Sequence, residues 1–183
     1  MRYRDLPQFT RSSEYRVDVP WGYLETVLSG YADDAKSSGI PFEMDPDFQR
    51  GHVWSREKQV RYVEFVLRGG RSSCDIYWNC PGWNTGSRIG GRFVLVDGKQ
   101  RVEAVRAFMR GDFPAFGTLV GDFTDKLPIH SRFKFHVNDL STEAEVLQWY
   151  LDLNDGGVVH TDDELNRVRT LLAAAKAMSV QKP

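Results

Sequence analysis

Apolar positions recur along the chain with two spacings, and each spacing predicts its own kind of element. Leu24, Val27, Leu28 and Tyr31 fall on one side of a 3.6-residue repeat, which predicts a helix from Trp21 to about Lys36, ended by "SSGIP". Val60, Val63, Val66 and Leu67 form a second stripe. Ser55 stands at its N-cap and "RGG" after it, so a helix is predicted from Ser55 to about Arg68. Val102, Val105 and Phe108 predict a third helix from Gly98 to about Met109. Thr142 with Glu145, and Thr161 with Glu164, have capping-box spacing ahead of two more apolar stripes. Runs with strand character lie between these: "PFEMD", Cys74 to Trp78, Arg92 to Val96, and the alternating Arg132 to Val137. Asn79 to Gly91 reads as a turn-rich loop.

Helices and strands interleaved in this order predict an α+β domain with a small mixed sheet. Residues 1–20 are polar and are expected to form an irregular N-terminal arm. Residues 21–183 are expected to form one domain, a length that buries about 70% of the unfolded surface. Hydrophobic residues are 41% and charged residues 27% of the chain, and the formal net charge is -1. That balance excludes a histone-like basic protein, so any nucleic acid must be gripped by a local patch. Cys74 and Cys80 lack metal-site spacing and are expected to be buried thiols. No run is long enough to span a membrane, and the first 20 residues have no signal-peptide core, so a cytoplasmic protein without a membrane partner is expected.

The chemistry concentrates where one strand hands over to a helix, in "FVLVDGKQRVEAVRAF". Gly98 permits unusual dihedrals and close backbone approach. The first helical turn leaves N–H groups open to anions, and Lys99 and Arg101 add charge beside them. Asp97 would then hold Mg²⁺ or orient water. A second reading competes: Asp97 and Gln100 have D-x-x-Q spacing, so Asp97 could serve only as a helix cap. A second polar cluster, "PDFQRGHVW", sets Gln49, Arg50 and His52 between the anchors Phe48 and Trp54. In a third, "YLDLNDGGVVHTDDEL", Asn154 and the following glycines read best as a turn between helices.

These three segments, in this order, resemble the N-terminal domain of GmrSD-type modification-dependent restriction proteins. The family signature runs P-x-[FY]-Q-R-x-x-x-W, then D-G-Q-Q-R, then F-x-x-[LI]-N-x-G. The resemblance covers about Pro41 to Leu172 and implies a ParB/sulfiredoxin-like fold. It implies binding and hydrolysis of a nucleoside triphosphate with Mg²⁺, coupled to recognition or cleavage of modified DNA, with a partner nuclease subunit. Carried over by position, the catalytic set is Asp97, Gln100 and Arg101, with Asp97 also the metal ligand. Gln49, Arg50, Gly98 and Lys99 become the phosphate-binding set. Lys99 departs from the family pattern, where a glutamine stands. No histidine–asparagine–histidine cluster of the family's nuclease domain is present, so a stand-alone domain of phage or restriction biology is expected.

Three functions follow as expectations. One is a phosphohydrolase or phosphoryl-transfer enzyme acting on a nucleotide or a DNA end. Another is a nucleotide-gated DNA-recognition module without chemistry, its contacts drawn from Trp78, Trp83, Arg88 and Arg92. The last is a decoy or inhibitor that keeps the fold alone.

Overall fold

The computed structural model describes residues 9–10, 15–49, 54–83, 91–127, 131–154 and 162–180. Within them lie strands β1 (Tyr15–Pro20), β2 (Phe42–Glu43), β3 (Asp75–Asn79), β4 (Phe93–Asp97) and β5 (Arg132–Asn138). The helices are α1 (Leu24–Ser37), α2 (Arg56–Leu67), α3 (Lys99–Met109), α4 (Glu143–Asn154) and α5 (Asp162–Val180). The strands form one sheet in the order β1-β5-β3-β4-β2. Pairing is antiparallel for β1 with β5 and β3 with β4, and parallel for β5 with β3 and β4 with β2. The expected α+β class with a mixed sheet is therefore what the chain forms.

Alternation along the strands divides the interior in two. Ile76, Trp78, Phe93, Leu95, Phe133 and Phe135 turn toward α1, α2 and α3 and form the larger core. Val94 and Val96 turn the other way and meet Phe48, Val146, Leu147, Trp149, Val168 and Leu172, so α4 and α5 cover part of the second face. Strand β4 thus has apolar residues on both sides, which is why its sequence reads as a continuous run and not as an alternation.

Local signals account for most boundaries. Ser55 caps α2, its Oγ accepting from Lys58 N at 3.3 Å, and Gly69 follows its end in a left-handed conformation. Thr142 Oγ1 accepts from Glu145 N at 3.2 Å while Glu145 Oε2 accepts from Thr142 N at 2.9 Å, the reciprocal pair that the T-x-x-E spacing predicts. Thr161 lies outside the described residues. Cys74 and Cys80 are free and buried, as expected.

The largest difference from expectation is at the N-terminus. The expected irregular arm includes a strand: β1 pairs along its length with β5, from Tyr15 opposite Val137 to Pro20 opposite Arg132. "YRVDVP" does alternate, with Val19 buried and Arg16 and Asp18 exposed, but only two of its residues are apolar and inward. So weak a period is outvoted in the sequence by the polar residues around it, and the pairing with β5 that stabilises it is non-local.

Candidate functional site

The site is built around the end of β4. Between the pairs Trp78–Leu95 and Tyr77–Asp97 the register slips, leaving Val96 as an extra residue. Such a bulge bends the strand and re-aims side chains, and here it brings Asp97 opposite Tyr77. Gly98 follows with φ 105° and ψ 7°, and α3 starts at Lys99 with no side-chain cap. Asp97 is therefore not the helix cap. Its carboxylate pairs with Arg101 one turn on, and Arg101 Nη1 also donates to the Asp75 carbonyl at 2.8 Å. Nor does Gln100 close a capping box: its Oε1 accepts from Trp54 N at 2.9 Å. The capping alternative is thereby corrected. Each side chain that the D-x-x-Q spacing would assign to the cap is engaged elsewhere, and among the described residues no side chain caps the amides of the first turn.

Gln49 and Trp54, from the second polar cluster, dock on this turn. Gln49 Nε2 donates to Leu95 O at 2.8 Å and to Val96 O. Strand β2 pairs with β4 only at Phe93 and Val94, so these carbonyls lie beyond its reach and Gln49 takes over the edge that β2 leaves open. Lys99 Nζ pairs with Asp45. With the Trp54–Gln100 bond, Asp45, Gln49 and Trp54 are each tied to the end of β4 or the β4–α3 turn. Phe48 anchors that segment against Tyr150 at 5.2 Å between ring centroids, and Trp54 packs on Tyr62 at 5.3 Å. The structure therefore brings together Gln49, Asp97, Gly98, Lys99, Gln100 and Arg101. Arg50 and His52 lie outside the described residues.

Charge at the turn is largely matched. Lys99 faces Asp45 and Arg101 faces Asp97, so an incoming anion must compete with a carboxylate for each cation. Asp45 is the weaker competitor: its side chain is 58% exposed, and such surface pairs contribute ~0–1 kcal/mol. Among the described residues no group of three or more His, Cys, Asp or Glu side chains is placed to hold a metal ion. Asp97 fits a Mg²⁺ ion that arrives on phosphates, a mode that needs one or two carboxylates. The donors do not make a resident cage.

A second group of polar residues lies beside the turn. Asp75 Oδ1 stands 2.6 Å from His136 Nε2. Tyr77 stacks on the His136 ring at 4.8 Å with planes 18° apart, and it meets the Trp149 ring at 5.8 Å in a T-shaped arrangement. Burial, then the charges of Asp75 and Asp97, push the Tyr77 hydroxyl pKa up, with Arg101 opposing. None of Asp75, Tyr77 and His136 stands out in the sequence. Alternation does place Lys134, His136 and Asn138 opposite the phenylalanines of β5, but which strand lies beside them is a long-range fact.

Of the residues expected to contact nucleic acid, Trp78, Trp83 and Arg92 lie away from this turn. Arg92 precedes β4 and Asp97 ends it, so they are roughly 16 Å apart at ~3.3 Å per residue. Arg92 pairs with Glu43 at 2.7 Å and Glu143 at 3.0 Å. Trp78 is wholly buried in the larger core, which removes it from any contact surface. Trp83 packs on the exposed Tyr15 at 4.8 Å. Arg88 lies outside the described residues. Asn154 Nδ2 donates to Tyr150 O at 2.6 Å within the last turn of α4, in keeping with a helix-end role.

No helix among the described residues is long and apolar enough to cross a membrane. Comparison with family models, with curated proteins and with solved structures finds no match to this chain.

Proposed function

We propose that the chain is a nucleotide-binding phosphohydrolase or phosphoryl-transfer domain, with the phosphates held at Gly98–Arg101. The observation that carries this reading is the uncapped start of α3, held by Asp45, Gln49 and Trp54, with Asp97 turned away from the cap. The amides of that turn and Lys99 would take the phosphates. Arg101 would neutralise developing charge, and Gln49 would hold the end of β4 rigid beneath them. Mg²⁺ would be carried in on the nucleotide, with Asp97 as its ligand, and would neutralise phosphate charge. The motif order supports a nucleoside triphosphate as ligand, and a setting of DNA recognition or processing beside a partner nuclease subunit. A nucleotide-gated DNA-recognition module without chemistry is the second reading, favoured by the exposed Tyr15 against Trp83.

Titration with each nucleoside triphosphate and Mg²⁺, with phosphate release followed in parallel, tests the proposal. Lys99→Ala breaks only a surface pair and should leave the fold intact while weakening binding about tenfold or more. Asp45→Asn removes the competing carboxylate and should tighten binding severalfold. If both variants bind as the wild type does, the phosphates are not at this turn. Binding without release in the wild type would leave the recognition module. A wild type that binds no nucleotide would leave a decoy or inhibitor that keeps the fold.

A further inference from the structure

The strand registers place Asp97 opposite Tyr77, Tyr77 opposite His136, and His136 opposite Arg16. These residues form a row across β4, β3, β5 and β1. The neighbouring row sets Asp75 opposite Lys134 and Lys134 opposite Asp18. Where α4 covers this face, the core residues are Val94, Val96 and the apolar side chains of the helix. The polar residues gather toward the end of the sheet that carries Asp97 and Gly98.

We propose that His136 is the proton-transfer residue for the phosphate turn, with Asp75 as the carboxylate that orients it. The inference deepens the phosphohydrolase reading and rests on it. A carboxylate accepts and does not donate, so the proton in the 2.6 Å contact sits on Nε2. That fixes the tautomer and leaves the Nδ1 lone pair to take a proton, the logic by which a carboxylate, an imidazole and a reacting oxygen work together. Asp75 also bridges to the turn, because its carbonyl accepts from Arg101, the residue assigned to phosphate. From Asp97 to His136 is two cross-strand steps of roughly 5 Å each, with Tyr77 between them and stacked on the imidazole, so a triphosphate held at the turn must cross Tyr77 to reach His136.

A purely structural role explains the pair less well. Strands β3 and β5 are already paired from Asp75 with Lys134 to Asn79 with Asn138, without help from side chains. Asn79 shows what a structural polar group looks like in this sheet. It is 1% exposed, and its amide both donates to Leu140 O and accepts from Leu140 N. The Asp75 side chain is 37% exposed and that of His136 10%, so the pair reaches solvent through its carboxylate end while the imidazole is buried. Arg16 and Lys134 are exposed beside it and would draw an anionic substrate onto this face.

In the proposed step, water attacks the terminal phosphorus as its proton passes to Nδ1. The new oxygen–phosphorus bond forms while the bond to the bridging oxygen breaks, and that electron pair leaves with the nucleoside diphosphate. Asp75 stabilises the imidazolium, which then gives the proton to solvent.

The experiment is single-turnover phosphate release across pH, with nucleoside triphosphate and Mg²⁺, beside nucleotide affinity. His136→Gln should slow release about 10²-fold or more, leave affinity unchanged, and abolish the limb on which the rate rises with pH. Asp75→Asn, at the more exposed position, should slow release and displace that limb. It carries the test if His136→Gln does not fold. Independently of activity, ¹⁵N spectra of the wild-type histidine ring should show Nε2 protonated and Nδ1 bare. A variant at position 136 that keeps both rate and limb, or a wild type protonated on Nδ1, overturns the assignment and leaves nucleotide hydrolysis standing. A wild type that binds nucleotide without releasing phosphate overturns it too, leaving only binding. A wild type that does neither removes the underlying reading and this inference together.

Discussion

Asp97 and Gly98 divide between them what the sequence offers to one residue. A carboxylate just before a helix ordinarily caps it, yet here the backbone leaves the strand through Gly98 at φ 105° and Asp97 is engaged by Arg101. Only glycine suits that turn. A Cβ at position 98 would stand 2.6 Å from Ile76 Cδ1 and 3.3 Å from Ile76 Cγ2, so the Ile76 side chain would have to shift. The left-handed φ is unfavourable for any other residue, whatever space is made. Gly98→Ala should therefore lose about 1–3 kcal/mol of stability, read as a lower urea midpoint with an unchanged slope. An unchanged midpoint would show that the turn relaxes at no cost, and that phosphate binding does not depend on its shape.

Among the elements, what was legible in the sequence is what rests on local chemistry. Helix α2 has its serine cap and its glycine stop, α3 has its stripe, and the start of α4 has its reciprocal Thr–Glu pair; each is closed by residues within a few positions of one another. Thr142→Ala breaks that pair on an exposed helix end and should cost about 1 kcal/mol, seen as a melting temperature roughly 2–4 °C lower. A larger loss would mean that the β5–α4 corner, pinned by Asn79 on Leu140, depends on the cap as well. The motifs "DGKQR" and "PDFQRGHVW" were legible as polar clusters, but their roles were not. Gln49 caps strand carbonyls and Gln100 holds Trp54, because both glutamines are long enough to cross between segments 46 residues apart. Strand β1 and the Asp75–His136 pair were hidden for the same reason. Their partners are brought close by the sheet order β1-β5-β3-β4, and no periodicity within a single strand encodes its neighbour.

At the scale of the whole molecule, the sheet buries protons as well as apolar surface. Tyr31, Tyr62, Cys74 and Cys80 all sit within or against the larger core, and burial pushes the pKa of each upward. For Cys80 the thiol moves from 9.0 to about 11, with the charge of Asp34 adding to the effect of burial. These groups hold their protons more tightly in the fold than in the unfolded chain, so unfolding above their ordinary values releases protons and is favoured as pH rises. The stability they contribute is complete below pH 9.0 and declines as the pH climbs from there toward about 11. A urea midpoint followed across this range should stay level near neutral pH and then fall, and Cys80→Ala should remove part of the slope. The acidic side should show no matching loss from these groups, because all of them are neutral there in both states. A midpoint that stays level through pH 11 would mean that water reaches the thiols and phenols within the fold. The packing of Trp78 and Phe93 around Tyr31 would then be looser than the ring separations of 5.9 and 4.8 Å indicate.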